Sequence, residues 1–279
     1  MIDSAPLRRS DGAHSIEGAF AAARAQNRIG LIAFLTVGYP TPDATRHVAL
    51  ALVEGGADLI ELGIPFSDPL ADGATVQRAS YAALQQGVNV ACCLETAAAI
   101  RAQTPTPLAF MGYYNPILRF GVERFCQHCA AAGVNGLIVP DLPPEEAGEL
   151  KQACHNNGLA LVFLVAPTST EERLARVAAE ASGFVYCVSL SGTTGARAKL
   201  AHGLREFVGR VRQHTDLPLA VGFGVSRPEH VAEIATFADG AVVGSALIDL
   251  LDALPPAERT TGMTCFIADL RATTARPAS

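Results

Sequence analysis

The sequence predicts a single-domain α/β protein, a (β/α)8 TIM barrel with parallel strands and extra leading and covering helices. Eight short apolar runs, each suited to a strand, alternate with helical stretches, and no linker interrupts the alternation. The 279 residues also match the usual length of one closed barrel. An open, doubly wound sheet is the alternative, but it would normally show fewer strands and a nucleotide-binding turn.

The predicted strands are short apolar runs between glycine, proline and polar breaks. The first, 30–36, is apolar almost throughout, as expected of a strand whose two faces are both covered. The same pattern recurs along the chain. The eight predicted strands are 30–36, 58–61, 107–111, 136–139, 160–165, 184–189, 217–221 and 240–243.

Helix-forming stretches separate these strands. A leading helix begins at Ser15, a residue type that caps helices, and continues in good helix formers to residue 25. Asp43 is expected to cap the helix after the first strand, and Gly55 to end it. The other predicted helices are 75–86, 91–102, 122–132, 145–156, 170–181, 200–213, 228–237 and 245–251, with a covering helix at 257–273.

These elements define one domain. We expect a flexible lead-in at 1–14, the barrel at 15–273 and a loose tail at 274–279. The lead-in has charges but no apolar core behind them, so no signal peptide is expected. The longest apolar run, 159–167, is far shorter than the roughly 18 residues that a membrane span needs.

Composition narrows the range of functions. With 49% hydrophobic residues, 17% charged residues and a net charge of −6, the chain can bury a large core and lacks the basic stretches of nucleic-acid binders. Seven irregularly spaced cysteines argue against a disulfide framework, and we expect a cytoplasmic location. Cys126 and Cys129 have the spacing of metal ligands, but no second pair accompanies them. We interpret both as buried core residues of a helix and expect no metal site.

One stretch carries most of the candidate chemistry: residues 61–73, ELGIPFSDPLADG. Glu61 ends a predicted strand, where a side chain is expected to be buried, and Asp72 closes the loop that follows. Loop carboxylates are commonly helix caps or solvated groups, but a strand position weakens that interpretation for Glu61. Apolar surroundings would raise a carboxyl pKa toward neutrality, as acid–base catalysis requires.

Glycine turns follow the last two predicted strands. Gly222 and Gly224 follow the seventh strand, and Gly244 with Ser245 opens the helix after the eighth. Backbone N–H groups at such turns, with the positive end of a helix dipole, form the usual phosphate site of these barrels. These residues predict a barrel enzyme that acts on a phosphorylated small molecule without a metal ion.

Other loops at the same end of the barrel carry aromatic or polar groups. Tyr113 follows the third strand and could line a flat ring-shaped ligand, although a buried tyrosine with a satisfied hydroxyl explains it equally well. Asp141 directly follows the fourth strand. A Ser/Gly/Thr-rich stretch at 191–197 has the composition of a closing lid.

The stretch 61–73 closely resembles the signature of the tryptophan synthase alpha subunit family. The thirteen-residue signature is highly specific, whereas the glycine turns are shared with other phosphate-binding barrels. The likeness covers nearly the whole chain and includes Phe34-Leu-Thr, Tyr113-Tyr-Asn-Pro, Asp141-Leu-Pro, Ser191-Gly-Thr-Thr-Gly-Ala-Arg197, Gly222-Phe-Gly224 and Gly244-Ser245.

This resemblance implies a lyase that cleaves indole-3-glycerol phosphate to indole and glyceraldehyde 3-phosphate in a retro-aldol reaction. By its position in the motif, Glu61 would protonate indole C3 and take the proton from the glycerol hydroxyl. Asp72 would accept a hydrogen bond from the indole N–H and stabilise the positive charge that develops there. Tyr186 matches the tyrosine that the family places beside the acid.

The resemblance also implies the binding residues. Thr194 matches the lid threonine that closes onto the loop aspartate. The other matched positions are Gly195, Gly224, Gly244 and Ser245 for the phosphate group, and Phe34, Met111, Ile138 and Phe223 for the apolar walls around the indole ring.

Members of the family work in an α2β2 complex with a beta subunit, which carries pyridoxal phosphate and receives indole through a tunnel. Asp68 and Pro69 fall in the part of the signature that contacts this partner, and no cofactor is expected in the chain itself. Ala74 stands where the family commonly has proline, and Thr193 replaces a usual valine. These two departures bear on rate and coupling rather than on the type of reaction.

Three alternatives stay open beside the alpha-subunit interpretation. A standalone lyase would release free indole, and a non-catalytic subunit would only activate a partner. Another phosphate-binding barrel, such as an isomerase of the same pathway, would need its own acid–base pair elsewhere. The intact Glu61, Asp72 and phosphate-site glycines argue against a non-catalytic subunit.

Overall fold

The computed structural model describes residues 15–189, 203–222 and 224–277, so the predicted lead-in, 1–14, lies outside it. Within the described ranges, parallel strands paired in chain order close into a barrel, with the first strand next to the last. The predicted fold is confirmed, and each strand lies within two residues of its predicted bounds. The strands are β1 Gly30–Thr36, β2 Leu59–Gly63, β3 Leu108–Met111, β4 Gly136–Ile138, β5 Ala160–Val165, β6 Val185–Val188, β7 Leu219–Gly222 and β8 Gly240–Val243.

Helices surround the barrel and connect consecutive strands. The leading helix begins after Ser15, whose hydroxyl accepts a hydrogen bond from Gly18 N (3.0 Å), as predicted for a cap. No helix in the described ranges is long and apolar enough to span a membrane. The helices are α1 Ile16–Ala25, α2 Pro42–Glu54, α3 Ala74–Gln85, α4 Val90–Arg101, α5 Tyr114–Phe120, α6 Val122–Ala131, α7 Gly148–Asn156, α8 Glu171–Glu180, α9 Leu204–Arg212, α10 Pro228–Ile234, α11 Ser245–Ala253 and α12 Arg259–Arg271.

Two prolines account for differences at helix starts. The N-cap of α2 is Thr41 rather than Asp43, because Pro42 is well suited to the first helical position and starts the helix two residues earlier. Pro116 lies in the first turn of α5, a helix that is not among the predicted elements. A proline is tolerated there, since its missing N–H would have no partner within the helix.

The helix predicted at 145–156 begins only at Gly148. Glu145 lies in the turn before it and forms an ion pair with Arg173 of α8 (2.8 Å). Its acidic side chain therefore stabilises the contact of this turn with α8 rather than the start of α7. Residues 200–202, predicted as the beginning of α9, lie outside the described ranges.

The leading helix α1 closes the N-terminal end of the barrel. Its Ile16 and Phe20 belong to the cluster of buried side chains inside the barrel. A Cβ atom built on Gly240, the first residue of β8, would lie 2.8 Å from Phe20 Cε1, and one on Gly136, the first of β4, 2.7 Å from Ile16 Cδ1. Glycine at these strand starts leaves space for the side chains of α1 to fill the N-terminal end of the barrel. A ligand therefore has to enter from the opposite end.

The tail predicted to be loose is held against the barrel where the structure describes it. Thr274 O accepts a hydrogen bond from Ile29 N (2.9 Å), and the Arg276 guanidinium donates to the Asp239 carboxylate (2.8 Å). Backbone pairing and this ion pair hold residues 274 and 276 against the barrel. We propose that the barrel domain extends over 15–276.

Candidate active site

Glu61 lies inside the barrel, in the middle of β2. It pairs in register with Phe34 of β1 and Ala109 of β3, whose side chains belong to the buried cluster inside the barrel. The Glu61 side chain is fully buried, and neither carboxyl oxygen has a hydrogen-bond partner among the described residues. Burial raises its pKa to about 8. The group therefore keeps its proton at neutral pH, as a proton donor must.

Tyr186 of β6 shares the barrel interior with Glu61. It is buried in the same interior cluster, and burial, reinforced by the negative charges of Glu61 and Asp72, raises its pKa well above the usual value. Its phenol therefore stays protonated within electrostatic range of both carboxyl groups. A Cβ atom built on Gly222, at the end of β7, would lie 2.6 Å from Tyr186 Cζ, so the ring requires a glycine at that position.

Asp72 ends the loop after β2, immediately before the N-cap Gly73 of α3. Its backbone carbonyl accepts a hydrogen bond from Gln77 Nε2 (2.8 Å), which ties the end of the loop to the helix. Burial raises the pKa of its carboxyl to about 6, and interaction with the Tyr113 hydroxyl opposes that rise. Ala74 is the first residue of α3, so this helix begins without the proline that the resemblance leads us to expect there.

Tyr113, in the loop after β3, holds the Asp72 loop in place. Its hydroxyl accepts a hydrogen bond from Ala71 N (2.9 Å) and interacts with the Asp72 carboxylate. Its ring stacks on Phe66, with ring centroids 5.2 Å apart. Sequence reasoning could not choose between a ligand-lining and a buried tyrosine. The usable signal was its position just after the strand that neighbours β2.

An apolar cleft adjoins Asp72 and Tyr113. Phe34, Met111 and Ile138, predicted as walls of an indole pocket, all belong to the interior cluster, and Met111 pairs in register with Ile138. Phe34 and Met111 also line a cleft whose lining includes Asp72. The cleft combines apolar walls with one carboxylate, an arrangement suited to an aromatic ring that bears an N–H group.

The start of α11 adjoins the apolar cleft. Gly244 is the N-cap of this helix and Ser245 its first residue, where the backbone N–H groups and the helix dipole favour an anion. A Cβ atom built on Gly244 would lie 3.4 Å from Phe34 Cδ1. Gly224, in the loop after β7, has φ +93°, a backbone conformation that favours glycine. The predicted site residues that lie outside the described ranges are Thr194, Gly195 and Phe223.

The loop between the two carboxyl groups also reaches the protein surface. Asp68 is exposed and Pro69 partly exposed, as a contact with a partner requires. The next residue, Leu70, is 93% exposed, so it is not part of the apolar surroundings expected to raise a carboxyl pKa. A single exposed leucine is common on protein surfaces. This one lies two residues from Asp72, on the loop that carries that carboxylate.

The cysteines take no part in this site. Cys126 and Cys129 are fully buried in α6, as interpreted from the sequence. All seven cysteines lie in the described ranges and are free thiols. The described residues contain no group of three or more His, Cys, Asp or Glu side chains that could hold a metal ion.

The chain is similar to known proteins over nearly its whole length. A family model described as "Tryptophan synthase alpha chain" matches residues 20–273. The tryptophan synthase alpha chain of Chloroflexus aggregans is 54% identical over 258 residues, which cover 92% of this chain and 97% of the relative. The corresponding protein of Chloroflexus aurantiacus is 52% identical over 259 residues, with the same coverage.

Solved structures give the same result. A structure of Mycobacterium tuberculosis tryptophan synthase superposes with a TM-score of 0.87 at 42% sequence identity, covering 94% of this chain and 98% of that one. Tryptophan synthase subunit alpha from Legionella pneumophila superposes with a TM-score of 0.86 at 34% identity, covering 93% and 97% of the two chains.

Proposed function

The chain belongs to the tryptophan synthase alpha chain family, and on that premise we propose how its barrel cleaves indole-3-glycerol phosphate. One observation carries the proposal. Glu61 is fully buried and has no hydrogen-bond partner among the described residues, and a second carboxyl group, Asp72, lines an apolar cleft at the end of the loop that follows the Glu61 strand. Two carboxyl groups with different pKa values are the usual basis for separate acid and anion roles.

Glu61 starts the reaction as an acid. Its proton passes to C3 of the indole ring, and the ring becomes positively charged at its nitrogen. Asp72 accepts a hydrogen bond from the ring N–H and stabilises that charge. A pKa of about 6 leaves Asp72 largely ionised at neutral pH, whereas a pKa of about 8 leaves Glu61 protonated.

Glu61, now a carboxylate, completes the reaction as a base. It takes the proton of the hydroxyl group on the carbon attached to C3, and that C–O group becomes the aldehyde. The bond between this carbon and C3 breaks, and its electron pair returns to the ring. Indole and glyceraldehyde 3-phosphate form, and Glu61 regains its proton. The phenol of Tyr186 stays protonated, so it can donate a hydrogen bond to the transient carboxylate.

The phosphate group of the substrate is expected at the start of α11. Backbone N–H groups at Ser245 and the hydroxyl of that residue would bind it, together with the backbone around Gly224. The closeness of Gly244 to Phe34 supports this placement, because a Cβ atom built on Gly244 would already reach the ring of Phe34, which lines the cleft proposed for the indole ring.

The carbon–carbon bond breaks with the help of proton transfers alone, so we propose that this chain has no cofactor of its own. Pyridoxal phosphate would belong to the beta subunit, which uses indole to make tryptophan. We also propose a cytoplasmic location, which the seven free thiols support because thiols persist in a reducing compartment.

The family assignment makes a tryptophan synthase beta subunit the partner of this chain, and we propose an α2β2 complex. Asp68 and Pro69 would contact the partner, with the exposed Leu70 beside them. Because the same loop ends at Asp72, a contact at its surface would also position the carboxylate that stabilises the reacting ring. This link gives a physical reason for activation by the partner.

The test is indole release from indole-3-glycerol phosphate by the purified chain, with and without a tryptophan synthase beta subunit. We expect weak activity alone that rises sharply with the partner. High activity that ignores the partner would indicate a standalone lyase that releases free indole. No release in either condition would overturn the catalytic proposal and favour a non-catalytic, activating subunit.

A further inference from the structure

We propose that His230 is a positioning residue for the phosphate site, because its ring fixes the backbone of the loop that carries Gly224. The inference rests on the proposed function, which places the substrate phosphate beside that loop. His230 would not touch the substrate itself. It lies on α10, the helix that follows the loop, and its side chain is 2% exposed.

The His230 ring is hydrogen-bonded to the loop rather than to its own helix. Ser226 N donates to His230 Nδ1 (3.3 Å). The N-cap of α10 is Arg227, so His230 is the third helical residue. In a capping box, a Glu or Gln side chain at this position reaches back to the backbone N–H of the N-cap. The His230 ring instead reaches the backbone N–H of Ser226, one residue before the N-cap. It therefore fixes the backbone two residues after Gly224.

The other end of the loop is held as well. Ser189 N donates a hydrogen bond to Gly222 O (3.2 Å), and the close approach of the Tyr186 ring leaves no room for a side chain at Gly222. Gly222 and Ser226 are therefore the two fixed points on either side of Gly224.

Gly224 depends on these fixed points, because no described atom occupies the space where a side chain at this position would lie. Its φ is +93°, and no described atom lies within 4 Å of a Cβ atom built there. Glycine is also the most flexible residue of the backbone. The direction in which the Gly224 N–H points therefore depends on the hydrogen bonds of its neighbours, and the bond to His230 is the one on the helix side.

The chemistry of the ring distinguishes this role from simple filling of the core. Because Nδ1 accepts the Ser226 N–H, the proton of the neutral ring is on Nε2. His230 Nε2 is buried and has no hydrogen-bond partner in the described part of the chain, which is unfavourable. An apolar side chain would fill the same space without that cost, but it would leave the Ser226 N–H without its acceptor.

The experiment compares His230→Leu, which removes the acceptor, with His230→Gln, which restores an acceptor able to reach back along the chain. Binding of glycerol 3-phosphate and of indole is measured separately by calorimetry, and kcat and KM are measured for indole-3-glycerol phosphate. For the leucine variant, we expect glycerol 3-phosphate to bind about tenfold more weakly and KM to rise by a similar factor. Affinity for indole and kcat should stay within twofold of wild type, and the glutamine variant should recover most of the loss.

Equal weakening of glycerol 3-phosphate binding and indole binding in the leucine variant would indicate a general structural role and overturn the inference. Unchanged binding of glycerol 3-phosphate would also overturn it. So would a glutamine variant that binds glycerol 3-phosphate as weakly as the leucine variant does. If the leucine variant does not fold, His230→Met takes its place, since methionine adapts to irregular core space. Failure of the wild-type chain to bind glycerol 3-phosphate and to cleave indole-3-glycerol phosphate would instead refute the proposed function.

Discussion

At the scale of single residues, Glu61 of β2 and Asp72 of the loop after β2 are two carboxyl groups that need different protonation states at neutral pH. Glu61 is enclosed by apolar strands, and burial raises its pKa to about 8. Asp72 lies at the cleft with partial exposure and the Tyr113 hydroxyl nearby, and its pKa is about 6. The difference in surroundings, rather than in residue type, makes one group a proton donor and the other an anion.

These pKa values predict a bell-shaped dependence of kcat/KM on pH. Activity should fall as pH drops through about 6, because Asp72 becomes protonated, and as pH rises through about 8, because Glu61 loses its proton. The alkaline limb is the sharper test, since the substrate phosphate does not titrate there. A profile of kcat/KM that stays flat between about pH 7 and 9.5 would contradict the role of Glu61 as the acid.

The same burial predicts that Glu61 makes the protein progressively less stable as pH rises from 4.5 to about 8. Its ordinary pKa is 4.5, but its pKa in the folded protein is about 8. Between these values the unfolded chain has lost the proton while the folded chain keeps it, so the free energy of unfolding falls by about 1.4 kcal/mol per pH unit. Glu61→Gln cannot ionise, so its stability relative to wild type should increase between pH 5 and 8, on the order of a few kcal/mol. Denaturant unfolding at both pH values measures this, and an equal difference at both would contradict it.

At the scale of elements, the site depends on close approaches between neighbouring strands. Tyr186 of β6 requires the absence of a side chain at Gly222 of β7. We expect Gly222→Ala to push the tyrosine ring away from Glu61 and to lower kcat by tenfold or more. Gly209→Ala in α9, where no described atom lies within 4 Å of the added Cβ, is the matched control and should leave kcat unchanged. Normal kcat in Gly222→Ala would show that the Tyr186 ring is not needed in its present place.

The strands could be predicted closely because a barrel strand with two covered faces has to be an apolar run. Glu61 stood out for the same reason, as a carboxyl group in such a run. The contact of Tyr113 with Ala71 and Asp72 could not be predicted, because it joins loops whose meeting depends on the register of β2 and β3. Asp141 stood out in the sequence because it directly follows the fourth strand. The structure shows its carboxylate accepting a hydrogen bond from Tyr114 N (3.0 Å), a contact that the sequence did not predict.

At the scale of the whole molecule, the two ends of the barrel differ. Phe20 and Ile16 of α1 fill the N-terminal end, so the apolar cleft and the start of α11 share the open end. The loop with Leu70 belongs to this end too, which places the proposed partner contact next to the proposed chemistry. The loop between Leu70 and Asp72 is enough to connect the proposed partner contact with the proposed site.

This arrangement predicts that Leu70→Ser weakens binding of the beta subunit by tenfold or more, since burial of a leucine side chain contributes about 1.5–3 kcal/mol. Activity of the isolated chain should stay near that of wild type, because the Leu70 side chain is 93% exposed in the free protein. Titration of indole release against the beta subunit measures both quantities. Unchanged partner affinity would remove Leu70 from the interface.

The measurement that tests the central claim most directly is cleavage of indole-3-glycerol phosphate by Glu61→Gln in the presence of the beta subunit, with Glu206→Gln on the exposed face of α9 as the control. We expect the Glu61 variant to fold, to bind glycerol 3-phosphate normally and to lose about a thousandfold or more in kcat, because it cannot transfer a proton. The Glu206 variant should match wild type. Cleavage by Glu61→Gln within tenfold of wild type would contradict the assignment of the acid–base role to Glu61.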